Sequence, residues 1–348
     1  MLCGIFFYIR AEFSCCRRTS IPIAFFTYAS QDGSRNCVSN LFLLELTANN
    51  KVIFLGYGKV GYACLSNLIQ AGIDVIGVLP RDSDHGEKSD KSSVRALASE
   101  LNISTFGHDE AIKFKSDPFL KEVDYLISVQ YDKILKEDWL SIPKLDCLNL
   151  HFSFLPRLRG CFPTKWAIIE ESFSGVTLHS VDQGIDTGPI LSQKKVFLDQ
   201  KETDQSLYDK LSKCAVELFN ENIPHIQKRA FPYRIKQIDS ESSYHPKSLP
   251  YNGVLQLTKG VEFSDRFLRA FDFRPFPPAF CCLEQFNFAK VGLYSPCQIA
   301  KSEEAKLGFS QFTKNNLLEV HSSDGILYFD KVFFNDQMLT VKELKNLP

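Results

Sequence analysis

An excess of charge of either sign is missing from this chain. Its 348 residues include 40 lysines and arginines against 41 aspartates and glutamates, a net charge of −1 with histidine neutral. No global positive field is available to hold a nucleic-acid backbone, which disfavours a dedicated nucleic-acid protein and leaves only a local basic face open. Regular cysteine spacing is missing too. The eleven cysteines form no Cys-x-x-Cys pair, and an odd number cannot all pair within one chain. Reduced, mostly buried thiols are the simplest account, and they point to the cytoplasm. No apolar run reaches the roughly 18 residues that a membrane span needs, so no membrane partner is expected. What is present is ordinary: 44% hydrophobic and 23% charged residues, in a chain long enough for two domains.

Residues 1–48 form an N-terminal extension to which the sequence assigns no role. Met1 to Tyr8 is apolar, but it lacks a basic leading region, and Arg10 and Glu12 interrupt it early, which argues against a secretory signal. From Lys51 the pattern is regular. Val52-Ile53-Phe54-Leu55 reads as a buried parallel strand, Gly56-Tyr57-Gly58-Lys59-Val60-Gly61 opens a helix carrying Val60, Cys64, Leu65 and Leu68, and Asp74 to Leu79 gives the next strand. This βαβ unit predicts an α/β, Rossmann-like domain over 49–237, a mostly parallel sheet with helices on both faces. Tyr125 to Val129 and Cys147 to Leu150 are further strands, each ending in a candidate functional loop, where open α/β sheets bind ligands. The polar loop from Pro80 to Ser93 is a candidate acceptor contact.

The most specific signal is Asn149-Leu150-His151-Phe152-Ser153-Phe154-Leu155-Pro156, followed by Gly184-Ile185-Asp186-Thr187-Gly188-Pro189. An amide, an imidazole and a carboxylate suit acyl transfer to an amine. Asn149 and a protonated His151 can donate to a developing oxyanion. Asp186 would orient the imidazole, raise its pKa and help relay the proton between attacking and leaving nitrogens. This chemistry requires no metal. Taken singly, Asp186 is also a good loop-shaping residue, and His179, in the alternating stretch Val176 to Val181, reads as structural or at most pocket-lining.

With Gly160, Trp166-Ala167-Ile168-Ile169 and Gly175-Val176-Thr177-Leu178-His179 in the same order, these motifs resemble the folate-dependent formyltransferase family over about residues 51–236, with a weaker extension to about 290. The resemblance implies the formyltransferase fold and 10-formyltetrahydrofolate as formyl donor, and it puts Asn149, His151 and Asp186 in the catalytic positions. It assigns Gln130, Tyr131, Lys133, Ile134 and Leu135 to the donor slot, with Gly184, Ile185 and Gly188 lining its other side. A flat heterocycle rich in donors and acceptors is well held by backbone groups in an apolar slot. Gly58, Lys59, Ser153, Leu155, Pro156, Arg157 and Arg159 are the candidate acceptor contacts, the two arginines as phosphate partners or as solvated charges. The first turn and the loop after it look closest to amino-sugar N-formyltransferases, which implies the amine of a nucleotide-linked amino sugar as acceptor. A methionyl-tRNA acceptor is the alternative, then hydrolysis of the donor. A homodimer is left open.

Gly56-x-Gly58-x-x-Gly61 also fits a dinucleotide fingerprint, so an NAD(P)-dependent oxidoreductase is the rival from another class. Against it, the second strand ends Val78-Leu79-Pro80-Arg81-Asp82, with no acid cleanly at its tip for a ribose. Beyond 237, residues 238–249 read as a polar linker. Residues 250–348 read as a small β-rich C-terminal domain with an OB-like barrel as its candidate form, including strands at Gly325–Phe329 and Lys331–Phe334.

Overall fold

The structure is a computed structural model. It describes residues 50–86, 92–109, 120–286, 289–296 and 298–346, preceded by two short strands. Two compact units divide the chain, Met1–Ala48 and Asn49–Pro348. In the first, β1 (Glu12–Ser14) and β2 (Ile23–Phe25) pair antiparallel, Glu12 opposite Phe25. The remainder of the N-terminal extension, and positions 87–91 of the expected acceptor loop, lie outside the described residues.

The second unit is built on six strands. These are β3 (Lys51–Gly56), β4 (Asp74–Pro80), β5 (Tyr125–Val129), β6 (Asp146–His151), β8 (Phe173–Ser180) and β9 (Ile190–Phe197), in the order β4-β3-β5-β6-β8-β9. The four from β4 to β6 run parallel, and β8 and β9 close the sheet antiparallel. Both faces of the parallel part are covered, so its strands read as continuous apolar runs. Strand alternation then sorts side chains: Val52 and Phe54 join the core with α1 (Gly58–Gln70) and α5 (Asp204–Gln227), whereas Ile53 and Leu55 pack with Leu126 and the fully buried Trp139 of α3 (Glu137–Leu140). The predicted α/β fold is the one observed.

Local chemistry sets the helix ends. Gly61 lets α1 lie close to β3, since a Cβ there would stand 3.3 Å from the Gly56 carbonyl carbon and from a Val94 methyl. Helix α2 (Val94–Glu100) starts where the Ser93 hydroxyl accepts from the Ala96 N–H. Thr203 and Ser206 form a reciprocal capping box at the start of α5. Its apolar face buries Leu207, Leu211, Ala215 and Leu218.

The C-terminal part contains α6 (Val261–Arg269) and two four-stranded antiparallel sheets. One joins β11 (Ala279–Cys282), β12 (Lys290–Leu293), β17 (Lys331–Phe334) and β18 (Gln337–Thr340). The other joins β13 (Gln298–Lys301), β16 (Gly325–Phe329), β15 (Leu318–His321) and β14 (Ser310–Phe312). The strands predicted at Gly325–Phe329 and Lys331–Phe334 are β16 and β17. Among the described residues the C-terminal strands pair as two four-stranded sheets. Phe271 is buried, in keeping with a core role, while Phe276 is exposed.

Among the described residues, no helix is long and apolar enough to cross a membrane, and no group of three or more histidine, cysteine, aspartate or glutamate side chains is placed to hold a metal ion.

Candidate active site

The site is built on the carboxyl end of β6. Register sets Asn149 opposite Ser128 of β5 and opposite His179 of β8. Asn149 and His151, two residues apart, therefore emerge on one face. The chain after His151 is fixed by side chains: Thr177 Oγ1 donates to the Ser153 carbonyl at 2.7 Å, Ser153 Oγ donates to the Arg157 carbonyl at 2.8 Å, and Gln193 Nε2 donates to the Leu155 carbonyl at 2.7 Å. The Leu155–Pro156 bond is cis. This turn brings the Leu158 carbonyl to within 3.0 Å of His151 Nε2. A carbonyl only accepts, so Nε2 carries a hydrogen and Nδ1 is the nitrogen turned to Asp186, 3.6 Å from Oδ2.

Asp186 sits in a left-handed backbone conformation, φ 55°, which aspartate tolerates better than most residues. Its Oδ2 accepts from the Gly160 N–H at 2.8 Å, and its Oδ1 lies 3.6 Å from His179 Nε2. Burial alone would raise its pKa, but His151 and the Gly160 N–H hold it well below the usual carboxylate range. His179 is fully buried. Its Nδ1 donates to the Ser180 carbonyl at 2.8 Å, which leaves Nε2 to accept from the Asn149 amide at 3.1 Å. One N–H of that amide is thus fixed, and the other is free to point at a substrate. The sequence marks His179 as structural or pocket-lining; the structure makes it the bridge between Asn149 and Asp186. Strand alternation alone could not show that register.

All three predicted catalytic residues line one cavity of about 630 Å³, within the range of small-molecule sites. Gln130, Tyr131, Lys133, Ile134, Leu135, Gly184 and Ile185 line it as well. Burial pushes the Tyr131 phenol pKa up, so it stays protonated, and its hydroxyl meets His108 Nδ1 at 3.2 Å. Gly188 does not line the cavity. A Cβ there would fall 1.9 Å from the Ser180 carbonyl oxygen, so this glycine allows the loop to close on β8.

The expected acceptor contacts fare differently. Gly58, Lys59, Ser153, Leu155, Pro156, Arg157 and Arg159 are all outside the cavity lining. Gly58 and Lys59 open α1, and Ser153 to Pro156 shape the turn. Arg157 is paired with Glu171, and the buried Arg159 donates to Gln237 at 3.0 Å and to Asp239 at 3.1 Å. Folding has used both guanidinium groups, so neither faces a phosphate in the cavity.

In their place the structure contributes Arg81, Cys161, Tyr208, Tyr244 and Lys247. Tyr244 and Lys247 come from the segment expected to be a plain linker. There β10 (Tyr244–His245) pairs parallel with β7 (Arg159–Gly160), Ser243 Oγ accepts from the Leu158 N–H at 2.8 Å, and the His245 carbonyl accepts from the Cys161 N–H at 2.9 Å. The segment is a strap on the site's rim. Gly160, with φ 93°, is held so close to it that a Cβ would lie 2.1 Å from the His245 oxygen. Gly160→Ala is expected to cost at least about 1–3 kcal/mol from backbone strain alone and to lower turnover through the displaced N–H on Asp186, as measured by chemical denaturation and steady-state rates.

Residues 50–223 match the family model described as formyl transferase. The chain is 37% identical over 240 residues to the bifunctional polymyxin resistance protein ArnA of Wigglesworthia glossinidia brevipalpis, a match that covers 67% of this chain but 36% of that longer protein. It is 30% identical over 239 residues to the methionyl-tRNA formyltransferase of Clostridioides difficile, covering 66% of this chain and 75% of that one. With the enzyme of the same name from Francisella philomiragia it is 28% identical over 306 residues, covering 85% and 94%. An N-formyltransferase from Helicobacter canadensis, crystallised with folinic acid and dTDP-3-aminofucose, shares the fold with a TM-score of 0.62 at 23% identity, over 80% of this chain and 99% of that one. The sequence motifs, the sheet and these likenesses agree: the chain belongs to the folate-dependent formyltransferase family.

Proposed function

We propose that this protein transfers a formyl group from 10-formyltetrahydrofolate to the primary amine of a nucleotide-linked amino sugar. The observation that carries the reading is the convergence of Asn149, His151 and Asp186 on one wall of the cavity. The cavity suits the donor: Tyr131, Leu135, Val181 and Ile185 give an apolar slot, bounded by backbone groups of the Gln130 and Gly184 loops. The bound donor supplies the electrophilic formyl carbon. The free N–H of Asn149 and a protonated His151 Nδ1 stabilise negative charge on the formyl oxygen. Asp186 keeps the imidazole turned toward the substrate and takes up the proton that leaves the attacking amine, passing it toward the departing nitrogen. His179 keeps the Asn149 amide from rotating.

The ArnA-like sequence and the amino-sugar complex of the Helicobacter enzyme favour the sugar acceptor. A methionyl-tRNA acceptor is the second reading, supported by the nearly full-length likeness to the Francisella enzyme. The test is tetrahydrofolate release from 10-formyltetrahydrofolate, with nucleotide-linked amino sugars or charged initiator tRNA as acceptor and His151→Ala as control. Release stimulated by a sugar and reduced at least about 100-fold in the variant is expected, given the usual worth of such a donor. Stimulation by the tRNA alone would overturn the sugar assignment. No acceptor-dependent release by a folded protein would overturn formyl transfer itself.

A further inference from the structure

The cavity contains a cation that the transfer chemistry leaves unused. Arg81 follows directly on β4 and lines the cavity. Its guanidinium carbon lies 4.9 Å from the centre of the Tyr57 ring, and Tyr57 is the residue that caps α1. Nε is sealed from solvent with no hydrogen-bond partner among the described residues. The Asp132 carboxylate stands 3.7 Å from it, beyond hydrogen-bond reach. The neighbouring Asp82 is already engaged by Lys133 at 2.8 Å.

A buried donor without a partner is costly, and in a native protein it calls for an explanation such as a bound ion. A guanidinium held against a ring is also a preorganised fork for an oxyanion, because less rotamer freedom is left to lose. Two further features make this corner suit an anion. The first turn of the 13-residue helix α1 has no acidic residue to offset its positive end. Tyr208, which lines the same cavity, has its phenol pKa raised by burial and remains a neutral donor.

The geometry points to Arg81 as the anchor for a phosphate group of the acceptor, and so as a specificity-determining residue of this site; this rests on the formyl-transfer reading. Lys133, tied to Asp82, and the Gln130 to Leu135 loop belong to the donor slot. Arg81 lies between that loop, whose Asp132 is its long-range ion-pair partner, and the Tyr57 ring at the cap of α1.

The test is calorimetric titration of the full chain with inorganic pyrophosphate and, separately, with 5-formyltetrahydrofolate, for the parent protein, Arg81→Met and Arg81→Lys. Pyrophosphate affinity is expected to fall about ten-fold or more in Arg81→Met, the usual worth of a charge-assisted bond. Arg81→Lys should recover part of it, and folate affinity should stay within about two-fold, as expected for a residue outside the donor slot. Equal pyrophosphate affinity in parent and Arg81→Met, or no binding to the parent, overturns the assignment. Loss of folate affinity in Arg81→Met also overturns it, by moving Arg81 to the donor. If the parent fails to bind 5-formyltetrahydrofolate, the formyl-transfer reading falls, and the assignment with it. Folate binding that persists while pyrophosphate ignores Arg81 removes the assignment alone.

Discussion

Asp186→Asn will lower kcat by about 10²–10⁴-fold, the range set by losing a positioned acid–base group, with folate affinity little changed. Asparagine keeps the shape and can still accept from the Gly160 N–H, but the charge facing His151 and His179 is gone. An imidazolium at His151 then has no counter-ion, and the proton leaving the attacking amine has no acceptor. Steady-state rates beside a direct donor titration decide the matter. A variant with near-normal kcat would remove Asp186 from the mechanism.

Stability supplies an independent check on the same side chain. Burial works to raise the Asp186 pKa, yet His151 and the Gly160 N–H hold it below its unfolded value. The stabilisation from this carboxylate is therefore fully present above the ordinary aspartate pKa, and is lost as pH falls through the folded-state value. The gap in unfolding free energy between parent and Asp186→Asn should shrink toward strong acid, and should not close near neutrality.

The second large effect is expected at a pair outside the cavity lining. Lys165, on α4 (Pro163–Glu170), donates to Asp204 at 2.6 Å and to the Ala270 carbonyl at 3.0 Å, with its ammonium 4.7 Å from the Phe271 ring centre. Asp204 is almost wholly buried, at 2% exposure, and burial raises its pKa even with the lysine beside it. Lys165→Met strands that carboxylate and should cost about 3–5 kcal/mol, the loss typical of breaking one side of a buried pair. A raised folded-state pKa means that the folded form holds the proton longer, so stability falls as pH rises through the window between the unfolded and folded values. Removing the lysine widens this window upward. The variant should be relatively more stable in mild acid than in base, and Lys165→Met combined with Asp204→Leu should recover most of the loss. Urea unfolding at several pH values measures all three proteins, and a pH-independent loss would contradict the account.

The parts of the site that lie within one short stretch of chain were legible before folding. Asn149 and His151 share a strand, and the Asp186 loop carries its own turn chemistry. The apolar run from Val52 to Leu55 announced a doubly covered strand. Charges were harder, since their partners are distant in sequence: Arg157 and Arg159 looked available beside His151, and only the fold reveals Glu171, Gln237 and Asp239 around them. Tyr244 and Lys247 were invisible for the same reason. A two-residue parallel strand has no periodicity to detect, and Asp239-Ser240-Glu241-Ser242-Ser243 is polar whether it hangs free or lies along a rim. The two C-terminal sheets likewise depend on which strands meet, which strand pattern alone leaves undetermined.

The strap bears on how this protein could be recombined with its relatives. A seam placed at residue 238, where the polar composition invites it, would assign Tyr244 and Lys247 to the incoming module and leave β7 facing a strand it did not evolve beside. The backbone N–H that steadies Asp186 belongs to Gly160 of that same β7. A hybrid enzyme would inherit an intact catalytic motif on a loosened frame, so the natural point of exchange lies after the strap, near Pro250. The unit of inheritance for this active site is longer than the unit that its composition outlines.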